Sequence, residues 1–183
     1  MKKIMFDDKY GLTEAVLTGR KTMTRRIISE SALSRFGHNK HSDKSDELIR
    51  FEAAYKVGEI VAVAQNLKDM GYNPGDMADG HIWGLDHTAA WKNKMFVCAK
   101  QCKHQIKITA VKVERLQDIS DEDCVKEGII KYKGVVFGCF YKPDGEAYTN
   151  PQRAFMELID KVSGKGTWQR NPWVFAYEFE LVK

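Results

Sequence analysis

Gly19-Arg20-Lys21-Thr22-Met23-Thr24-Arg25-Arg26 packs four cations and two hydroxyls into eight residues. A lysine three residues from a threonine supplies a base and a nucleophile. An amine that has shed its proton can take one from a hydroxyl, and the oxygen can then attack an acyl carbon. The same cations could hold an anionic or polar ligand. A competing reading is a solvated basic edge strand, charged so that no other chain pairs with it. Geometry separates these readings. In an ideal strand Lys21 and Thr24 face opposite sides, so they share a site only if Lys21 still lies in the turn after Gly19.

Glu127 is a second candidate. Ser120 reads as the N-cap of a short helix, with Asp123 at N3 in a capping-box arrangement and Ile119 stapled onto Cys124. The helix should end near Glu127, with Gly128 just beyond it. A carboxylate in a last turn is opposed by the helix macrodipole by about 0.3–1 kcal/mol. A local rule broken in this way can mark function, or a cation such as Lys126 can simply offset it.

Other residues carry weaker signals. Cys98, Cys102 and His104, with His81 or His87, are metal-ligand types, but their spacing fits no common zinc pattern and no second cysteine pair follows. They read as incidental thiols, and no metal is implied. Trp83 and Trp91, close to Lys92 and Lys94, offer either stacking faces for a base or a loop's own apolar cluster. Walker A, GxGxxG, HExxH and GxSxG patterns are all missing from the sequence. That argues against P-loop hydrolysis, dinucleotide cofactors and the common hydrolase sites, and no cofactor is implied.

These residues need elements to position them. A chain of 183 residues, 43% hydrophobic and 11% aromatic, is expected to form one domain around a real core. Its net charge of +4 permits nucleic-acid binding without demanding it. No apolar run reaches the length of a membrane span, and the N-terminus lacks a signal-peptide h-region. A cytoplasmic location is therefore expected, with no membrane partner and with Cys98, Cys102, Cys124 and Cys139 reduced.

The pattern predicts a helix over Asp8–Thr18 ended by Gly19, and a strand over Thr22–Ile28. Ser29–Asp46 reads as a polar surface insertion, and Gln65–Lys94 as a long irregular one. Between them, Val57-Gly58-Glu59 turns into a buried strand, Ile60–Ala64. Ile106–Glu114 alternates and then slips phase, which predicts a β-bulge. Lys131–Tyr148 reads as a hairpin-like excursion with turns at Gly134 and Pro143-Asp144-Gly145. Asn150-Pro151 opens the clearest helix, with Phe155, Leu158, Ile159 and Val162 as its stripe. The final strand from Trp173 to Val182 places Trp173, Phe175, Tyr177, Phe179 and Leu181 on one face. Together these suggest α+β, a small curved sheet or barrel with helices on its rim.

Gly19–Arg26 resembles the G-x-K-T-x-T-x-R signature of ASCH domains (activating signal cointegrator homology). Tyr55–Ile60, Val113–Ser120 through Glu127-Gly128-Ile129, and Asn171-Pro172-Trp173-Val174 are similar to longer phage and prophage members, in the same order. The resemblance implies one PUA-like β-barrel domain over 1–183, with insertions near 29–46, 65–94 and 131–148. It implies a cleft lined by the signature and a role with RNA or a modified nucleoside. Arg20, Arg25, Arg26, Trp83 and Trp91 would be ligand contacts. One small bacterial branch hydrolyses N4-acetylcytidine with a lysine, a threonine and a glutamate, to which Lys21, Thr24 and Glu127 correspond. Ala64-Gln65 and His104-Gln105 stand where longer relatives often carry charge. Lys, Thr and Glu are common residues, so binding ranks first and amidohydrolysis a close second. A non-catalytic protein-interaction module comes third, and would require a large apolar patch and no cleft at Lys21. The oligomeric state is not set by the sequence.

Overall fold

The computed structural model describes residues 1–35, 45–75, 84–132, 140–141 and 147–182. In chain order the elements are β1 (Lys3–Ile4), α1 (Leu12–Leu17), β2 (Met23–Ile27), α2 (Glu30–Arg35), α3 (Ser45–Glu52), β3 (Ile60–Val63) and β4 (Gln105–Arg115). They continue with α4 (Asp121–Lys126), β5 (Ile130–Lys131), β6 (Phe140–Tyr141), β7 (Ala147–Tyr148), α5 (Pro151–Ser163), α6 (Thr167–Arg170) and β8 (Trp173–Leu181).

The main sheet runs β1-β3-β4-β8-β2. β1 and β3 are parallel and the other pairs antiparallel, so the sheet is mixed. The expectation of α+β holds, but that of a small curved barrel does not. Closure needs a ladder between the two edge strands, and β1 and β2 remain the two ends of the order. β1 is only two residues long, and the chain leaving it meets β2 through a side chain, with Arg26 Nη2 donating to the Met5 carbonyl at 2.6 Å. The sheet is open and is not strongly curled.

The predicted bulge is present, as a register shift between Ile108 and Ala110. It keeps the apolar side chains of β4 on one face, because Ile108 pairs with Phe179, Val111 with Tyr177 and Val113 with Phe175. α5 packs its stripe into this core, burying Phe155, Leu158 and Ile159. Its N-terminus is capped as the sequence suggests, with Asn150 accepting from the Arg153 amide at 2.7 Å and Pro151 opening the helix. β8 departs from simple alternation. Val174 and Ala176 are buried as well as Phe175, Tyr177 and Phe179, while Leu181 is exposed. β8 lies centrally, between β4 and β2, and Ala176 is flanked across the sheet by Lys112 and Arg25.

The insertions hold more structure than their composition suggests. α2 buries Ala32 and α3 buries Leu48, both joining the main core. Within 65–94, Leu67, Met70, Leu85 and Trp91 build a second apolar cluster with Val97 and Cys102. β5, β6 and β7 form a small separate sheet. The turn residues expected at Gly134 and Pro143–Gly145 lie outside the described residues. Among the described residues, no helix is long and apolar enough to cross a membrane.

Candidate functional site

Lys21 reaches the site because α1 stops where it does. Gly19 follows the Thr18 cap with φ at +73°, a left-handed conformation glycine adopts without strain. The Lys21 amide then bonds back to the Ala15 carbonyl at 2.8 Å, and β2 begins only at Met23. Lys21 thus lies in the turn, the condition under which it shares a site with Thr24. α1 itself is shorter than predicted at its N-terminal end, because Gly11 is also left-handed, with φ at +64°, and helix begins only at Leu12.

Glu127 arrives from α4. The Ser120 hydroxyl accepts from the Asp123 amide at 3.1 Å, and Glu127 caps the other end, followed by Gly128 at φ +105°. The Asp123 carboxylate does not complete a capping box; it turns to Arg25 and Lys112 instead.

Lys21, 2% exposed, places Nζ 2.5 Å from Glu127 Oε2 and 2.8 Å from the Glu127 carbonyl. Arg25 Nη1 reaches the other carboxylate oxygen at 3.2 Å. Arg25 Nη2 also meets Asp123 Oδ2 at 2.7 Å and Glu114 Oε1 at 2.6 Å. Lys112 closes the network, 3.0 Å from Asp123 and 3.1 Å from Glu114. Lys21, Arg25 and Lys112 are thus matched by Glu127, Asp123 and Glu114, while Arg26 forms no ion pair among the described residues.

Burial lowers the Lys21 pKa, and it outweighs the opposing pull of Glu127; Arg26 and Arg25 push the same way as burial. Burial also acts against the Arg25 charge, but Glu127, Glu114 and Asp123 more than offset it and hold the guanidinium protonated. Asp123 is drawn below the ordinary aspartate range, against its burial, by its bonds to Lys112 and Arg25. The buried Cys124 thiol is pushed up to about 12, which keeps it an inert packing group.

A cleft of about 290 Å³ opens over these residues. Lys21, Thr24, Arg25, Arg26 and Glu127, with Asp7, supply its polar lining, while Phe155, Leu158, Ile159 and Val162 of α5 supply an apolar wall. Phe6 also lines the cleft, with Lys21 Nζ 5.8 Å and Arg26 Cζ 5.7 Å from its ring centre. Among the described residues, the Thr24 hydroxyl holds no hydrogen bond to Lys21 or Glu127, and Arg26 Nε is buried without an acceptor.

The structure thus brings Lys21, Thr24, Arg25, Arg26 and Glu127 to one cleft. Arg20 is exposed and does not line it. Trp91 is 8% exposed within the second apolar cluster, so it packs a loop and offers the cleft no stacking face. Trp83 lies outside the described residues. No group of three or more His, Cys, Asp or Glu side chains among the described residues is placed to hold a metal.

Sequence reasoning missed Glu114, Asp123, Lys112 and the α5 wall. Lys112 and Glu114 alternate with Val111 and Val113, which marks a polar face of β4. Nothing in a single sequence says which charges that face will meet.

No protein-family model and no curated protein matches the chain. Two solved structures are weakly similar in fold. One is the ASCH domain of Lactobacillus crispatus JV V101, 12% identical over 98% of this chain and 77% of that chain, with a TM-score of 0.41. The other is a protein of Enterococcus faecalis V583 from the family DUF984, 14% identical over 93% of this chain and 66% of that chain, with a TM-score of 0.37. The similarity stops at the fold and assigns no residue a role.

Proposed function

We propose that the cleft binds a modified nucleoside, free or presented by RNA. The observation that carries this reading is the cleft itself: about 290 Å³, polar on the β2 side and apolar on the α5 side. A planar base with hydrogen-bonding edges fits such a pair of walls. Lys21 and Arg25 are neutralised by Glu127, Asp123 and Glu114, which suits an uncharged polar group better than a phosphate. Arg26 Nε remains as a buried donor in want of an acceptor. Titration calorimetry with N4-acetylcytidine tests this. Binding should be lost in Arg26→Ala and should change little with salt. No binding by wild type at millimolar nucleoside rejects the reading for this ligand.

A second reading, amidohydrolysis, is favoured by the lowered pKa of Lys21 on the same wall as Thr24. A neutral amine has two hydrogens and one lone pair. Its hydrogens match the two acceptors already in place, Glu127 Oε2 and the Glu127 carbonyl. The lone pair is then free for the Thr24 proton. Thr24 Oγ would bond to the acyl carbon as its proton moves to Lys21 Nζ. The C–N bond would break as that proton passes to the leaving amine, and water would release the acid and restore Thr24. Glu127 would orient the lysine. Release of cytidine from N4-acetylcytidine is the assay, and equal rates for wild type and Lys21→Ala would reject the mechanism.

A further inference from the structure

A second concavity lies across Ile27, the residue that lines both it and the cleft. It is a groove of about 870 Å³ walled by Ile28, Leu33, Arg115, Arg170 and Trp173. We infer that this groove binds the phosphodiester backbone and a neighbouring base of a single-stranded RNA whose modified nucleoside occupies the cleft. The inference rests on the nucleoside reading of the cleft and adds a second surface, the groove, that holds the strand carrying the nucleoside.

In the cleft Lys21 and Arg25 are compensated by carboxylates, and Arg26 alone of its cations forms no ion pair among the described residues. In the groove, by contrast, neither Arg115 nor Arg170 forms an ion pair among the described residues. Glu30 is the single acidic residue on the groove wall. Arg170 is exposed and keeps only local bonds, to the Thr167 hydroxyl at 2.8 Å and the Lys165 carbonyl at 3.4 Å. Two arginines without carboxylates are suited to phosphate oxygens.

Arg115 Cζ lies 4.5 Å from the centre of the half-buried Trp173 ring, so guanidinium and indole stack as one platform. The platform is held in place. Asn171, the one non-glycine residue with positive φ among those described, at +45°, turns the chain into Pro172 and Trp173. Its carbonyl accepts from Arg115 Nη1 at 3.0 Å and its side-chain oxygen from the Gln117 amide at 2.9 Å. A braced Arg–Trp stack next to free cationic charge is how single-stranded nucleic acid is held without sequence readout.

Ile27, 44% exposed, lines both the cleft and the groove. A strand can therefore place one nucleotide in each.

The test compares two probes on the whole protein: N4-acetylcytidine, and a short single-stranded oligoribonucleotide containing one N4-acetylcytidine. Wild type should bind the oligonucleotide about tenfold or more tightly than the nucleoside, and only the oligonucleotide should respond to salt. Arg115→Gln with Arg170→Glu should remove that advantage and lower the salt slope by roughly two, leaving nucleoside affinity unchanged. Unchanged nucleoside binding is also the check that the double variant folds. Arg170→Glu alone, at an exposed side chain, is the second variant and should give about half the loss in salt slope. Equal affinity of wild type for both probes, or oligonucleotide binding unaffected in the double variant, overturns the groove while leaving the cleft reading intact. Oligonucleotide binding that depends on Arg115 and Arg170 with no nucleoside binding overturns the cleft reading and leaves the groove standing. Binding of neither probe overturns both.

Discussion

Lys21 Nζ contacts Glu127 twice, at the carboxylate (2.5 Å) and at the backbone carbonyl (2.8 Å). One residue thus supplies both a carboxylate and a carbonyl acceptor to a buried lysine. The carbonyl is available because Glu127 caps α4 and Gly128 leaves the helix at φ +105°. The carboxylate that looks misplaced against the helix dipole has its cations in Lys21 and Arg25, brought from another part of the chain. Removing one partner of such a buried pair is costly. Glu127→Gln should destabilise the protein by about 3 kcal/mol near neutral pH, read by chemical denaturation. Adding Lys21→Met to that variant should recover part of the loss, because the buried amine left without its carboxylate partner is then gone. Strictly additive losses would show that the two side chains are not coupled.

The pH dependence follows from the direction of the Lys21 shift. Its folded-state pKa lies below the ordinary 10.5, chiefly through burial. Between the folded value and 10.5 the unfolded chain binds the extra proton, so stability rises with pH across that window. The cost of burying the charge is present in full below the folded value and is relieved above it. Lys21→Met should therefore abolish an alkaline rise in stability that wild type shows. An identical alkaline profile in both proteins would contradict the shift.

Much of this was legible in the sequence, and what was not has a physical reason. Gly19, Ser120, Gly128 and the Asn150-Pro151 cap act locally, and their local rules place Lys21, Glu127 and α5 correctly. The phase slip of β4 is likewise a pattern along one strand. Barrel closure failed as an expectation because it depends on whether two edges far apart in sequence pair, and the two-residue β1 gives no sign of its partner. The partners of Arg25 were hidden for the same reason. Glu114 and Asp123 lie 89 and 98 residues away, and their types alone do not distinguish a solvated face from a buried network. Trp91 read equally well as a stacking face or as packing, and only the second apolar cluster decides.

Arg25 should tolerate no substitution, lysine included. Its guanidinium spans Glu114, Asp123 and Glu127 at once, which the single ammonium of Arg25→Lys cannot do. The loss expected is on the order of 3 kcal/mol. The same network predicts acid behaviour. Asp123 has a folded pKa below its ordinary 3.8, so its contribution to stability is present above that value and is lost as pH falls through the folded one. Asp123→Asn should flatten stability against pH in that acid range. A wild-type profile in the variant would show that the aspartate is not coupled to folding.

Trp91 separates packing from ligand contact. At 8% exposure, against Leu67, Met70 and Val97, its truncation to alanine should cost about 3–5 kcal/mol. Affinity for N4-acetylcytidine in the folded fraction should stay within a factor of about two, since less than half a kcal/mol of coupling is usual between separated sites. A stable Trp91→Ala variant that no longer binds the nucleoside would place the ring in the ligand site.

Thr24→Val distinguishes holding a nucleoside from cutting one. Thr24 is 5% exposed in β2, opposite Tyr177. Valine has nearly the same shape and suits a strand, and the hydroxyl it removes has no hydrogen bond among the described residues to lose. Thermal stability should therefore move by no more than about 1 kcal/mol. Nucleoside affinity should stay within a few-fold if the polar contacts come from Lys21 and Arg26. Hydrolysis, in contrast, needs the Thr24 oxygen as the attacking atom, and the loss of a nucleophile lowers turnover by orders of magnitude. Cytidine release that vanishes in Thr24→Val while binding persists identifies an amidohydrolase. Cytidine release that continues in the variant excludes Thr24 as nucleophile. Absence of release from wild type, with binding retained, leaves the cleft a binding site whose buried lysine serves recognition.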